Sequence, residues 1–159
     1  MRDPVFTETM QISMVVRDLE ATMRTYVEDY GIGPWEVYNF SPATVEGMIP
    51  GEAEWRIAVT MVGSVQWELV EPLDDKSIYA QFLAEKGEGL HHVAVGGAPY
   101  RQELEELQGK GRRVIAGGLF NGVTFAYLST DEDLKVITEI FDWPEGQTQE
   151  PDAVYPPTG

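Results

Sequence analysis

Two stretches of this chain run through the same order of patterns, and that repeat limits the fold more than any single motif. The first opens with Met10-Gln11-Ile12-Ser13-Met14-Val15-Val16 and closes with Val65-Gln66-Trp67-Glu68-Leu69-Val70. The second opens with His91-His92-Val93-Ala94-Val95 and closes with Val136-Ile137-Thr138-Glu139-Ile140-Phe141. The interval from Gln11 to Glu68 is close to that from His92 to Glu139. Each of these four polar residues interrupts an apolar, strand-like run. A carboxylate buried in a strand needs a charge or a hydrogen-bond partner. Four such residues in matching places are expected to be each other's partners, through a metal or a proton.

The elements between them repeat too. Residues 10–16 read as a buried strand, and Asp18 caps a helix over 19–30 that Gly31 and Gly33 end. A strand near 35–40 follows. Residues 41–53, with two prolines and two glycines, read as a loop. Strands at 54–62 and 65–71 form a hairpin around Gly63-Ser64. A linking helix covers about 76–86. The second half then gives a strand at 90–96, a helix from Pro99 to about Gln108 and a strand near 112–118. The strong turn Asn121-Gly122 precedes another strand, and a last one covers 135–141. The β-α-β-β-β order occurs twice, which predicts an α+β fold. One domain, residues 1–159, is expected, with module one at about 8–73 and module two at about 90–142 around a shared cleft. The tail 143–159 holds four prolines and reads as extended, either a loose terminus or an arm across a neighbouring subunit. A homodimer is expected, because a small module pair leaves apolar sheet edges to cover.

A net charge of −16 argues against nucleic acid and disfavours polyanionic small substrates. The basic cluster Lys110, Arg112 and Arg113 reads as solvated charge at a helix end and strand start. With no cysteine there is no disulfide and no thiolate chemistry. No apolar run is long enough to span a membrane and the N-terminus lacks a signal-peptide pattern, so a cytoplasmic protein is expected. An acidic chain rich in aromatics leans toward a neutral or aromatic small-molecule ligand.

Four segments carry a resemblance to a known family: Val15-Val16-Arg17-Asp18-Leu19-Glu20, Trp67-Glu68-Leu69-Val70-Glu71-Pro72-Leu73, Gly87-Glu88-Gly89-Leu90-His91-His92-Val93-Ala94, and Thr138-Glu139-Ile140. Over roughly residues 8–142 the chain resembles the vicinal-oxygen-chelate superfamily, the glyoxalase and bleomycin-resistance fold, and within it methylmalonyl-CoA epimerase. The resemblance implies divalent-metal ligands at Gln11, Glu68, His92 and Glu139. The first is usually histidine, so Gln11 is a departure. An amide oxygen is a weaker ligand than imidazole for a soft or borderline metal, which leaves a weak site, a hard ion or no metal open. The register selects His92, and alternation along a strand points His91 away as a structural histidine.

The resemblance further implies two carboxylates facing the substrate's α-carbon. Glu139 corresponds to the one that doubles as a ligand. The other is expected on the strand opening the first hairpin, where Glu54 is nearest and Glu52 and Glu46 are alternatives. His92 or an amide donor would serve as an oxyanion hole where metal is weak. The implied reaction is racemisation or epimerisation α to a carbonyl. No nucleophile is evident. A flat aromatic ketone suits Trp35, Trp55, Trp67 and Tyr127 as substrate-binding residues, and the chain is similar to the dihydrodaidzein racemases, which act on isoflavanones. Two alternatives stand beside this: an acyl-CoA epimerase of the methylmalonyl-CoA type, and a non-catalytic, drug-sequestering binding protein. A ring-cleaving dioxygenase fits less well, because its iron site wants two histidines.

Overall fold

The computed structural model describes residues 1 and 3–157. The first half supplies β1 (Glu8–Val15), α1 (Leu19–Tyr30), β2 (Trp35–Phe40), β3 (Val45–Ile49), β4 (Trp55–Val62) and β5 (Val65–Pro72). The linking helix is α2 (Ile78–Lys86). The second half supplies β6 (Gly89–Gly96), α3 (Tyr100–Gly109), β7 (Val114–Phe120), β8 (Val123–Leu128), α4 (Asp131–Leu134) and β9 (Ile137–Asp142), and β10 (Ala153–Tyr155) follows. All the strands join one sheet in the order β10-β2-β4-β5-β1-β6-β9-β8-β7-β3. The antiparallel pair β1·β6 lies at its centre, and the order mirrors about it: β5, β4, β2 on one side, β9, β8, β7 on the other. The duplicated α+β architecture is therefore as expected.

The central pair carries a register shift in each strand, at Met10 in β1 and at His91 in β6. Each shift comes one residue before a repeated polar position, Gln11 or His92. A bulge re-aims the side chains beside it, so the two modules present these residues by the same local device.

Helices α1 and α3 pack on the convex face. Asp18 accepts the Ala21 N–H at the start of α1, and Gly31 ends it at φ +65°, a left-handed turn that glycine adopts without penalty. Leu19 and Met23 then bury against Val16, Trp35, Val37, Ala58 and Leu69. In module two Leu107 plays this part against Val95, Ala126, Leu128 and Ile140. The concave face is aromatic, with Tyr38, Phe40, Trp55, Tyr79, Phe120, Phe125 and Tyr127 in one cluster. Phe40 on β2 stacks on Phe120 at the end of β7, ring centroids 4.1 Å apart, so the sheet curls until its two walls meet.

Two expectations are corrected. The stretch 41–53 is not all loop: Val45–Ile49 forms β3, which leaves its own module and pairs with β7. The tail is tied to its own chain at residues 152–155: β10 pairs with β2, and Asp152 accepts from the Asn39 backbone N–H and side-chain amide. Strands β2 and β7 are thus covered from within, and the edges of the sheet are the short strands β10 and β3. No described helix is long and apolar enough to cross a membrane.

Candidate active site

Gln11, Glu68, His92 and Glu139 come from four adjacent strands and meet beneath the concave face. Register explains the meeting: Ser13 lies opposite both Glu68 and His92, and Ala94 lies opposite both Gln11 and Glu139. All four side chains are buried, His92 completely. Around His92 Nε2 stand Glu139 Oε2 at 3.0 Å, Glu68 Oε2 at 3.3 Å and Gln11 Oε1 at 3.3 Å. Ser13 donates to Glu68 Oε2 at 2.5 Å, and Gln11 Nε2 donates to Gln66 Oε1 at 2.6 Å.

Electrostatics sets the protonation. Burial alone would push His92 down, but the carboxylates of Glu139 and Glu68 overcome it and hold the ring up at about 9. Burial pushes Glu139 up, and the neighbouring imidazole only partly offsets this. His91 is pushed down to about 2 by burial and by His92, so it stays neutral. The 2.9 Å contact between the two Nδ1 atoms then has His92 donating and His91 accepting. The bulge leaves His91 beside His92 and against Tyr79 and Phe82, a structural neighbour rather than a ligand. Tyr79 and Tyr127 share a 2.6 Å hydroxyl contact, and Tyr127 also hydrogen-bonds Glu139. Burial raises both phenols well above their usual range, so they remain donors.

Among the described residues, no three His, Cys, Asp or Glu side chains are spread so as to hold a metal ion as they stand. The donor set nonetheless fits one. Glu139 Oε2 is buried and finds no aligned hydrogen-bond donor, although His92 Nε2 is 3.0 Å away. The side chains have closed on the imidazole N–H, so an ion would replace that proton. Glu68, His92 and Glu139 would hold it, with Gln11 as the weak fourth donor.

Above this cluster opens a cavity of about 370 Å³. Gln11, Glu68 and Glu139 reach its floor, and Tyr38, Phe40, Trp55, Phe120 and Tyr127 are among its walls. No lysine or arginine lines it among the described residues. Trp55 and Tyr127 are therefore where the sequence reading put them. Trp35 and Trp67 are not. Trp67 precedes the inward-facing Glu68 and so faces outward, edge-on to Tyr26 at 5.9 Å; Trp35 is out of phase with Glu36, Tyr38 and Phe40 and is buried under α1. Glu54 is also misplaced. It is exposed just before β4, and the inward positions there belong to Trp55, Ile57 and Val59. Of its alternatives, Glu52 pairs with Lys76 on the surface, and Glu46 is exposed on β3. Sequence reasoning missed Glu36 and Gln66, which alternation from Tyr38 and Glu68 would have found. It also missed Trp143, Thr148 and Gln149, tail residues that close one side of the cavity.

The family model for the glyoxalase/bleomycin resistance protein/dioxygenase superfamily matches residues 10–127, and the chain belongs to that superfamily. YqjC of Bacillus subtilis is 33% identical over 100 residues, which cover 60% of this chain and 69% of YqjC. The BH1468 protein of Bacillus halodurans has the same fold at a TM-score of 0.70 and 23% identity, over 90% of this chain and 98% of that one. A Streptomyces coelicolor methylmalonyl-CoA epimerase in complex with 2-nitronate-propionyl-CoA superposes at 0.69 and 22% identity, over 91% and 99%.

Proposed function

We propose that this protein is an epimerase or racemase that exchanges the proton on a carbon α to a carbonyl. The observation carrying this reading is the convergence of Gln11, Glu68, His92 and Glu139 at the floor of an aromatic cavity. Glu139, made more basic by burial, removes the α-proton, and the electron pair moves into the carbonyl as an enolate. A positioned carboxylate contributes roughly 10²–10⁴-fold as a general base. His92 Nε2–H polarises Gln11 Oε1, Gln11 donates to Gln66, and the Gln66 amide N–H groups are left to serve the enolate oxygen. A bound divalent ion would supply Lewis-acid stabilisation of that same oxygen.

The likeness in fold to the epimerase favours an acyl-CoA thioester of the methylmalonyl type as substrate. A second reading, a neutral aromatic ketone such as an isoflavanone of the dihydrodaidzein kind, is supported by the aromatic lining without lysine or arginine. Within either reading the protein works in the cytoplasm as a homodimer, with exposed Met10, Tyr30, Met61 and Leu90 as apolar surface for a partner copy. The deciding experiment incubates the protein in D₂O with methylmalonyl-CoA and, separately, with isoflavanone, and follows α-deuteration by mass spectrometry. Exchange of either supports the reaction and chooses the substrate. Tight binding of both without exchange overturns it in favour of a sequestering protein.

A further inference from the structure

Inversion of a carbon needs a proton-transfer group on each face. Glu68 and Glu139 approach one imidazole nitrogen and so stand together on one side of the cavity. Glu54, Glu52 and Glu46 lie outside it, which leaves the opposite face without a group. The cavity lining contains one more carboxylate among the described residues, Glu36 on β2.

Its position follows from the register. Glu36 lies opposite Val59 on β4, and Val59 lies opposite Glu68 on β5. Cross-strand partners share a face, so the three point into the cavity in one row. Two strand spacings put Glu36 about 10 Å from Glu68 at the backbone, with the smaller Val59 between. Both carboxylates line the cavity, on strands separated by β4. Glu36 does not drift freely there: the Tyr38 hydroxyl donates to its Oε2 at 3.0 Å, and Tyr38 is itself buried against Phe120. Glu36 is also exposed to solvent, which gives it a route for reloading protons.

We propose that Glu36 is the catalytic carboxyl group of the second face, with Tyr38 as its positioning residue. This rests on the proton-transfer reading above. In one direction Glu139 takes the α-proton, and the electron pair of the broken C–H bond moves into the enolate. The enolate carbon then takes a proton from the Glu36 carboxyl group, forming the new C–H bond on the opposite face and leaving Glu36 as carboxylate. The reverse direction exchanges the two roles, and solvent resets both groups.

The test uses single enantiomers of isoflavanone and of methylmalonyl-CoA in D₂O, followed by chiral chromatography and mass spectrometry. Glu36→Gln should still deuterate the enantiomer whose proton faces Glu139 while its conversion to the mirror form falls about 10²-fold or more. Glu36→Asp should restore part of the conversion. Tyr38→Phe should keep exchange and KM while lowering kcat for conversion, because the Glu36 carboxylate loses the hydroxyl that holds it in place. Circular dichroism confirms that the variants are folded. Conversion by folded Glu36→Gln at the wild-type rate overturns the assignment and leaves the parent reading standing. Wild-type protein that deuterates neither probe overturns the parent reading and this assignment with it.

Discussion

Glu54 and Glu139 are both glutamates beside β-strand residues, yet one faces water and the other is buried under a tyrosine. Their substitutions should separate accordingly. Glu139→Gln keeps the shape of the side chain but is no base at neutral pH, so α-proton exchange should fall on the order of 10²–10⁴-fold with the melting temperature little changed. Glu54→Gln should leave exchange at the wild-type rate, and a large loss would restore Glu54 to the site. Gln11→His exchanges an amide oxygen for an imidazole and should tighten binding of Zn²⁺ or Co²⁺ in a titration calorimeter. The same scale shows what was legible in the sequence. The floor of the site was, because four polar residues in apolar strands can only be partners. Trp67 was misread against a rule already in hand, since the neighbour of an inward glutamate faces out. Glu54 was misread for want of one fact, the phase at which β4 begins, and strand ends are where alternation has fewest neighbours to fix it.

Regular elements were read well where caps and turns mark them: Asp18 and Gly31 around α1, Gly63-Ser64 and Asn121-Gly122 between hairpin strands. The elements missed, β3 and β10, are short, lie among prolines and gain their hydrogen bonds from distant partners, so no local pattern announces them. The tail shows that such an element can still matter. Between β9 and β10 it lends Trp143, Thr148 and Gln149 to the cavity, and it is tied down by Gln147 donating to the Asn121 carbonyl and by Asp152 on Asn39. A chain ending at Asp142 should lose about 2–3 kcal/mol of stability, from several hydrogen bonds at about 1 kcal/mol each. It should also bind an aromatic ketone more weakly than the full chain. Thermal melts and fluorescence titration measure the two effects, and unchanged affinity would remove the tail from the cavity wall.

At the scale of the molecule the two modules share one sheet through β1·β6 and trade their outermost strands: β3 leaves module one for β7, and β10 returns from beyond module two to β2. Chemical unfolding should therefore be a single transition, the same by tryptophan fluorescence and by far-ultraviolet dichroism, with no state in which one module is folded alone. Two resolved steps would show that the trade is decorative. Sedimentation velocity should give the mass of two chains, and a monomer at all concentrations would end the homodimer reading. The exchange of strands also has a consequence in time. A growing chain makes module one first, but β10, the strand that covers its edge, is made only after module two. Until residues 153–155 have left the ribosome, β2 offers open hydrogen-bonding groups to any passing strand. A chain stalled between β9 and β10 would thus carry a nearly complete cavity and an unguarded edge together, the form most open to capture by a chaperone.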